Sequence, residues 1–132
     1  MILRSGGLGT AAKCDLKPGS LWTVLYAVAN GLVDLFRNST GNLTEKDLQE
    51  CTGYRASFGE GSMTRKDSDV MRLREDIDEG KVISVEPHLK LRNGKEETEN
   101  QRLHFWYDPD RRRIVVGYLG EHLDSVSGRR KT

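Results

Sequence analysis

Histidine, lysine and arginine on neighbouring strands can move protons and hold phosphate without a metal, and this chain gathers such residues in its last third. All three histidines fall in the last 45 of 132 residues: His88 in Pro87-His88-Leu89-Lys90, His104 in Arg102-Leu103-His104-Phe105-Trp106, and His122 in Gly120-Glu121-His122-Leu123. Imidazole titrates near neutral pH, binds metals and shuttles protons. In metal-independent RNA cleavage a His or Lys acts as general base or acid, while Arg and Lys hold the pentavalent phosphorane. A metal site would need compact ligand spacing, but the histidines are 16 and 18 residues apart and the chain has neither HExxH nor CxxC. The RNA chemistry is therefore preferred, and no metal or cofactor is expected.

Strand phasing decides which of these residues meet. Gln101 to Tyr107 and Arg113 to Leu119 read as strands joined by the turn Asp108-Pro109-Asp110-Arg111. A four-residue loop there sets Phe105 opposite Ile114 and Leu103 opposite Val116 on an apolar face. The other face then carries Arg102, His104 and Trp106, with Arg113 opposite Trp106 at cation–π position. Val82 to Leu91 reads as one strand interrupted by Pro87, with Leu89 and Leu91 on the apolar side and His88 and Lys90 on the other. His122 joins them if the turn at Gly120 swings it back. The candidate catalytic residues are thus His88, Lys90, Arg102, His104 and His122. Trp106 is a base-stacking candidate, and Arg112 and Arg113 of the Arg111-Arg112-Arg113 run are candidate phosphate contacts. The plainer alternative is a solvated strand face on which His, Lys, Arg and aromatic residues serve solubility and cross-strand pairing.

Helices must back that sheet. Trp22, Leu25, Val28, Ala29, Leu32 and Phe36 follow helical spacing after a cap at Ser20, with Val24, Val33 and Leu35 widening the stripe. Thr44 and Asp47 form a capping box, Leu43 and Leu48 sit at the staple positions, and Gly53 ends this second helix. Residues 54–63 read as a glycine-bearing loop. Thr64 and Asp67 repeat the capping pattern before a third helix over 65–79, with Val70, Leu73 and Ile77 on one face and Gly80 at its end. The expected fold is α+β, with about three helices packed on one face of a small antiparallel sheet of three to four strands.

Composition bounds the rest. The length suits one α+β domain over residues 20–123, preceded by a loosely ordered segment over 1–19 and followed by a disordered basic tail over 124–132. Two cysteines, Cys14 and Cys51, are too few for a disulfide framework and suit a reducing compartment. The start has no apolar run of signal-peptide length, and Leu21 to Phe36 is too short to span a bilayer. A cytoplasmic protein with no membrane partner is expected. Net charge is +1, but residues 101–132 carry seven basic and four acidic groups, whereas 41–100 carry ten and fourteen. Basic ends around an acidic middle suit a polyanionic partner, or simply a solvated surface.

The order of possible strand, helices and three strands, with Arg102-Leu103-His104-Phe105-Trp106-Tyr107 and Ile114-Val115-Val116-Gly117-Tyr118, resembles the RelE/ParE toxin superfamily over residues 64–123. The resemblance implies a small bacterial RNase that cuts messenger RNA on the ribosome without a metal and is neutralised by an antitoxin protein. It points to Lys90, Arg102 and His104 on the strands and to Tyr118 or His122 near the end. The closing Ile114-Val115-Val116-Gly117-Tyr118-Leu119-Gly120-Glu121-His122-Leu123 also resembles the ends of uncharacterised bacterial proteins. A competing resemblance is to winged helix-turn-helix domains, through Leu43-Thr44-Glu45-Lys46-Asp47-Leu48 with Cys51-Thr52-Gly53-Tyr54, and through Leu73 to Val82. It implies a DNA-binding regulator whose recognition helix is 65–79. A third class is a non-catalytic interaction module of a bacterial defence locus.

Overall fold

A computed structural model of the chain describes residues 1–3, 18–39, 41–59, 66–92 and 101–121. The expectations for the N-terminal segment beyond residue 3, for Thr64, for the loop 93–100, for His122 and for the tail lie outside the described residues.

Strand β1 (Ile2–Leu3) is followed by a long helix, α1, which runs as Pro18–Tyr26, a π-helical stretch Ala27–Leu32, and Val33–Asn38. Pro18 stands at the first helical position, where its missing N–H costs nothing, so the helix starts ahead of Ser20 rather than at it. Val33 N–H donates to the Val28 carbonyl, the wider spacing of a π turn. A Cβ on Gly31 in that turn would lie 3.3 Å from Cys51 Sγ, so the second helix packs closely there. Val24, Leu25, Val28, Leu32 and Val33 are buried, but Trp22 is 71% exposed and does not belong to the core stripe. On a helical wheel it lies about 120° from Val28.

Helix α2 (Glu45–Thr52) carries the capping box in full: Thr44 N–H donates to Asp47 Oδ2 at 2.9 Å and Asp47 N–H to Thr44 Oγ1 at 3.1 Å. Gly53 closes it in the left-handed conformation at φ 80°. The next segment corrects the expected loop: Arg55–Ser57 is a strand, β2.

The third helix, α3, is a single turn, Ser68–Met71, capped by Asp67 Oδ1 and continued by a 3₁₀ turn, Arg72–Arg74. Glu75–Asp78 and Lys81–Ser84 are strands β3 and β4 of a separate two-stranded sheet, where a helix to residue 79 was expected. Glu79 and Gly80 both take positive φ, 52° and 81°, and make the two-residue turn whose twist matches a hairpin. The spacing of Val70, Leu73 and Ile77 suits a helix, yet the hairpin wins because it buries Ile83, and Val85 just after it, against the main sheet. No recognition helix therefore runs through 75–79. The expected strand from Val82 to Leu91 is likewise two strands in two sheets, broken at residues 85–87.

Strands β5 (His88–Arg92), β6 (Gln101–Asp108) and β7 (Arg113–Glu121) complete the main sheet, ordered β1-β7-β6-β5-β2, parallel only between β1 and β7. The fold is α+β, as composition and pattern imply. Leu89, Leu103, Phe105, Ile114, Val116 and Leu119 meet the helices in one core. On the opposite face Val115 and half-buried Trp106 pack against Ile83 and Val85.

The β6–β7 register differs from the expected one. Asp108 pairs with Arg113, Trp106 with Val115 and Phe105 with Val116, because Pro109–Arg112 rather than 108–111 form the loop. Pairing then shifts between Phe105↔Val116 and His104↔Tyr118, leaving Gly117 as an extra residue on β7. This bulge lets Ile114, Val116 and Leu119 share the helix face although their spacing is uneven. It also brings Gly117 against Val85, where an added Cβ would sit 2.8 Å from Val85 Cγ1. Gly117→Ala should therefore lose about 1–3 kcal/mol of stability, the usual cost of overpacking. An unchanged urea midpoint would show that the contact is looser than this.

Candidate functional site

Cross-strand pairing lays two rows of side chains across the face of the main sheet that turns away from the helices. One row is Ser57, His88, His104 and Tyr118; the next is Arg55, Lys90, Arg102 and Gly120. His88, Lys90, Arg102 and His104 are thus brought together, and Tyr118 joins them at His104. Gly120 contributes no side chain, so the cation row ends at Arg102.

The two imidazoles are in contact, with ring centroids 4.6 Å apart at 31°, and Tyr118 meets His104 edge-on at 5.9 Å. His88 Nδ1 bonds the Glu86 carbonyl at 2.9 Å and His104 Nδ1 the Val85 carbonyl at 2.7 Å. A carbonyl oxygen only accepts, so each Nδ1 carries the hydrogen. The neutral ring then holds its lone pair on Nε2. Such a carbonyl fixes both tautomer and ring orientation, as a proton-transfer group requires. Arg102 Nη1 donates to the Gln101 carbonyl at 3.1 Å.

Burial corrects the picture of a surface. His88, His104 and Arg102 are only 5%, 2% and 6% exposed, so neither a broad RNA-facing surface nor a solvated strand face describes them. Val85 and Glu86, just after the hairpin β3–β4, lie against the imidazoles and supply the two carbonyls. Lys90 and Tyr118 are half-buried and Arg55 is exposed, marking the rim of the constellation.

The remaining candidates stand elsewhere. Trp106 is half-buried beneath Lys81, whose Nζ lies 5.8 Å from the ring, so the cation over it is not Arg113. Arg113 instead donates from Nη2 to both Asp78 carboxylate oxygens at 3.1 Å. Arg111 pairs with Glu79 and, at 3.6 Å, with Asp108. Arg112 is exposed at positive φ, and its carbonyl accepts from Arg37 Nε at 2.7 Å. Along β6 this end lies about 20 Å from Arg102. Arg113 therefore belongs with Arg111 to a carboxylate–guanidinium clamp on the hairpin tip, and Arg112 is exposed at the same end; neither Arg112 nor Arg113 belongs to the imidazole row.

Arg55 and Ser57 escaped the sequence reading. Their signal is the alternation Tyr54-Arg55-Ala56-Ser57-Phe58, overshadowed by the glycines that follow it. On the helix side a cleft of about 390 Å³ is lined by Phe36, Ser39, Asn42, Leu43 and Phe58. No charged side chain is among its described lining residues, whereas the imidazoles and their neighbouring cations lie on the opposite face of the sheet. Among the described residues no three His, Cys, Asp or Glu side chains are grouped to hold a metal ion, and no helix is long and apolar enough to cross a membrane. No family model, no curated protein and no solved structure matches the chain.

Asp108 holds the clamp to the β6–β7 turn. Burial opposes its ionisation, but the Arg111 and Asp110 N–H groups and the Arg111 and Arg113 charges outweigh it, keeping its carboxyl below the ordinary value. A depressed carboxyl contributes stability that is full above the unfolded value near pH 4 and is lost as the pH falls through the folded one. Asp108→Asn keeps an acceptor for the turn and removes the charge. It should flatten the loss of stability below about pH 4 in acid titrations followed by circular dichroism. An acid limb identical to wild type would remove Asp108 from this role.

Proposed function

We propose that the chain is a small metal-independent ribonuclease of the RelE-like kind, with RNA cut on the sheet face that carries the imidazoles. The observation supporting this reading is the pairing register, which sets His88 and His104 in contact and aligns Arg55, Lys90 and Arg102 beside them. Fold alone carries no activity; residue chemistry does.

In this reading His104 Nε2 takes the proton of the ribose 2′-hydroxyl. The 2′-oxygen forms its bond to phosphorus as the bond to the 5′-oxygen breaks. Protonated His88 supplies the proton to that leaving oxygen, giving a 2′,3′-cyclic phosphate and a free 5′-hydroxyl. Lys90 and Arg102, with Arg55 at the rim, hold the phosphorane oxygens. Tyr118 borders His104 and offers a ring to a base. The cellular substrate on this reading is messenger RNA, and an antitoxin protein is the neutralising partner.

The test is cleavage of single-stranded RNA in excess EDTA, with product ends identified by mass spectrometry. Cyclic-phosphate ends are expected, and His104→Ala should slow the reaction by about 10²–10⁴-fold, the usual worth of a positioned base. Intact RNA with a folded protein, or equal rates for wild type and His104→Ala, would contradict the reading.

A further inference from the structure

The hairpin and the segment after it form one body, its segment 85–86 against the imidazoles and its strands against Val115, Trp106 and the Arg111–Arg113 end of β7. Val85 N–H donates to the Arg74 carbonyl at 2.7 Å, closing the neck of a unit that runs from β3 through β4. Below the neck, the Val85 and Glu86 carbonyls take the two imidazole Nδ1 hydrogens. At the far end Asp78 and Glu79 grip Arg113 and Arg111. Between these ends the seam is thin. Ile83 and Val85 against Val115 and Trp106 are its apolar contacts, whereas thirteen buried residues form the core on the helix side.

We propose that β3–β4 with residues 85–87 is a flap that closes over the imidazole pair and that its latch is the Asp78–Arg113 ion pair. The flap regulates the nuclease site and so rests on that reading for its purpose, though not for its motion. Opening is a sub-global event whose losses include a small apolar seam, an ion-pair cluster, the two imidazole bonds and the Phe105 N–H bond to the Pro87 carbonyl at 2.9 Å, while the helix-side core stays intact. A 3₁₀ turn, Arg72–Arg74, sits at the flap's base, a common feature of hinges. Opening admits the RNA strand, and reclosure restores the two carbonyl bonds and excludes water from the imidazoles.

The latch also sets the flap's response to substitution. Arg113→Ala leaves Asp78, 3% exposed, as a buried carboxylate without this partner, and the closed state loses more than the open one. The same change leaves the helix-side core untouched, since Arg113 stands at the hairpin end of β7.

The experiment measures carbethoxylation of His88 and His104 by diethyl pyrocarbonate, residue by residue with mass spectrometry, beside RNA cleavage in EDTA. Both imidazoles of the wild type should react at least about tenfold more slowly than a histidine in a short peptide, because only the open state exposes them. Arg113→Ala should accelerate both modifications by about tenfold, the scale expected for loss of a hydrogen-bonded charge partner. Asp78→Asn, the milder second variant, should fall between. In a Trp22→Phe background Trp106 is the remaining tryptophan, and its acrylamide quenching should rise in the same order. Wild-type imidazoles reacting at the peptide rate, or variants that remain folded with unchanged modification and quenching, would overturn the flap. Unmasking without any RNA cleavage would leave the flap standing and remove the nuclease reading.

Discussion

Strand β6 is the centre of the main sheet, and Gln101 through Phe105 are buried along it. A strand covered on both faces cannot give its polar side chains to water, so each must find partners inside. Leu103 and Phe105 satisfy the helix side by packing alone. On the other side Arg102 donates to the Gln101 carbonyl of its own strand, His104 bonds the Val85 carbonyl just after the hairpin, and Asp108 accepts from the β6–β7 turn and pairs with Arg111 and Arg113. The location of the hairpin, the neck at Arg74 and Val85, and the bulge at Gly117 all follow from that need to cover and bond the second face. The chemistry-bearing residues are where they are because β6 has no solvent side.

The two layers differ in kind. On the helix side, α1 and α2 meet the sheet through aliphatic side chains, reinforced by Phe36 edge-on to Phe105 and stacked on Tyr107 at 4.8 Å. The opposite layer has little apolar contact and much ionic contact: Asp78, Asp108 and Glu79 against Arg111 and Arg113. Removing Arg113 costs more than its net attraction, because the buried carboxylates of Asp78 and Asp108 lose a charge partner, whereas Arg111 and Glu79 stay half exposed. The helix layer therefore carries stability, while the hairpin layer sets position and exposure of the imidazoles.

Features encoded by neighbours in sequence were legible from it. Thr44 and Asp47 close a capping box, Gly53 ends a helix, and Leu89, Leu103 and Phe105 alternate with His88, Arg102 and His104, all through contacts a few residues long. Features decided by distant partners were not. Val70, Leu73 and Ile77 have helical spacing, but Glu79 and Gly80 turn the chain into a hairpin because the main sheet offers Val115 and Trp106 to bury Ile83. The register of β6 and β7 turned on one residue: Asp108 ends its strand and accepts the N–H groups of Asp110 and Arg111, moving the loop to Pro109–Arg112. That shift takes Arg113 from Trp106 to Asp108 and removes it from the candidate site. Burial of the imidazoles was beyond local pattern too, since an alternating strand reads alike whether its polar face meets water or a second layer.

The central claim is that His88 and His104 are bound inside the protein through Nδ1 to backbone carbonyls, with the lone pair of the neutral ring on Nε2. Long-range ¹H–¹⁵N correlation spectra of the imidazole rings test it directly at a pH where both are neutral. The Nδ1–H tautomer is expected for both residues, with ring N–H protons that exchange slowly enough with water to be observed. The Nε2–H tautomer at either residue, or fast-exchanging ring protons at both, would contradict it.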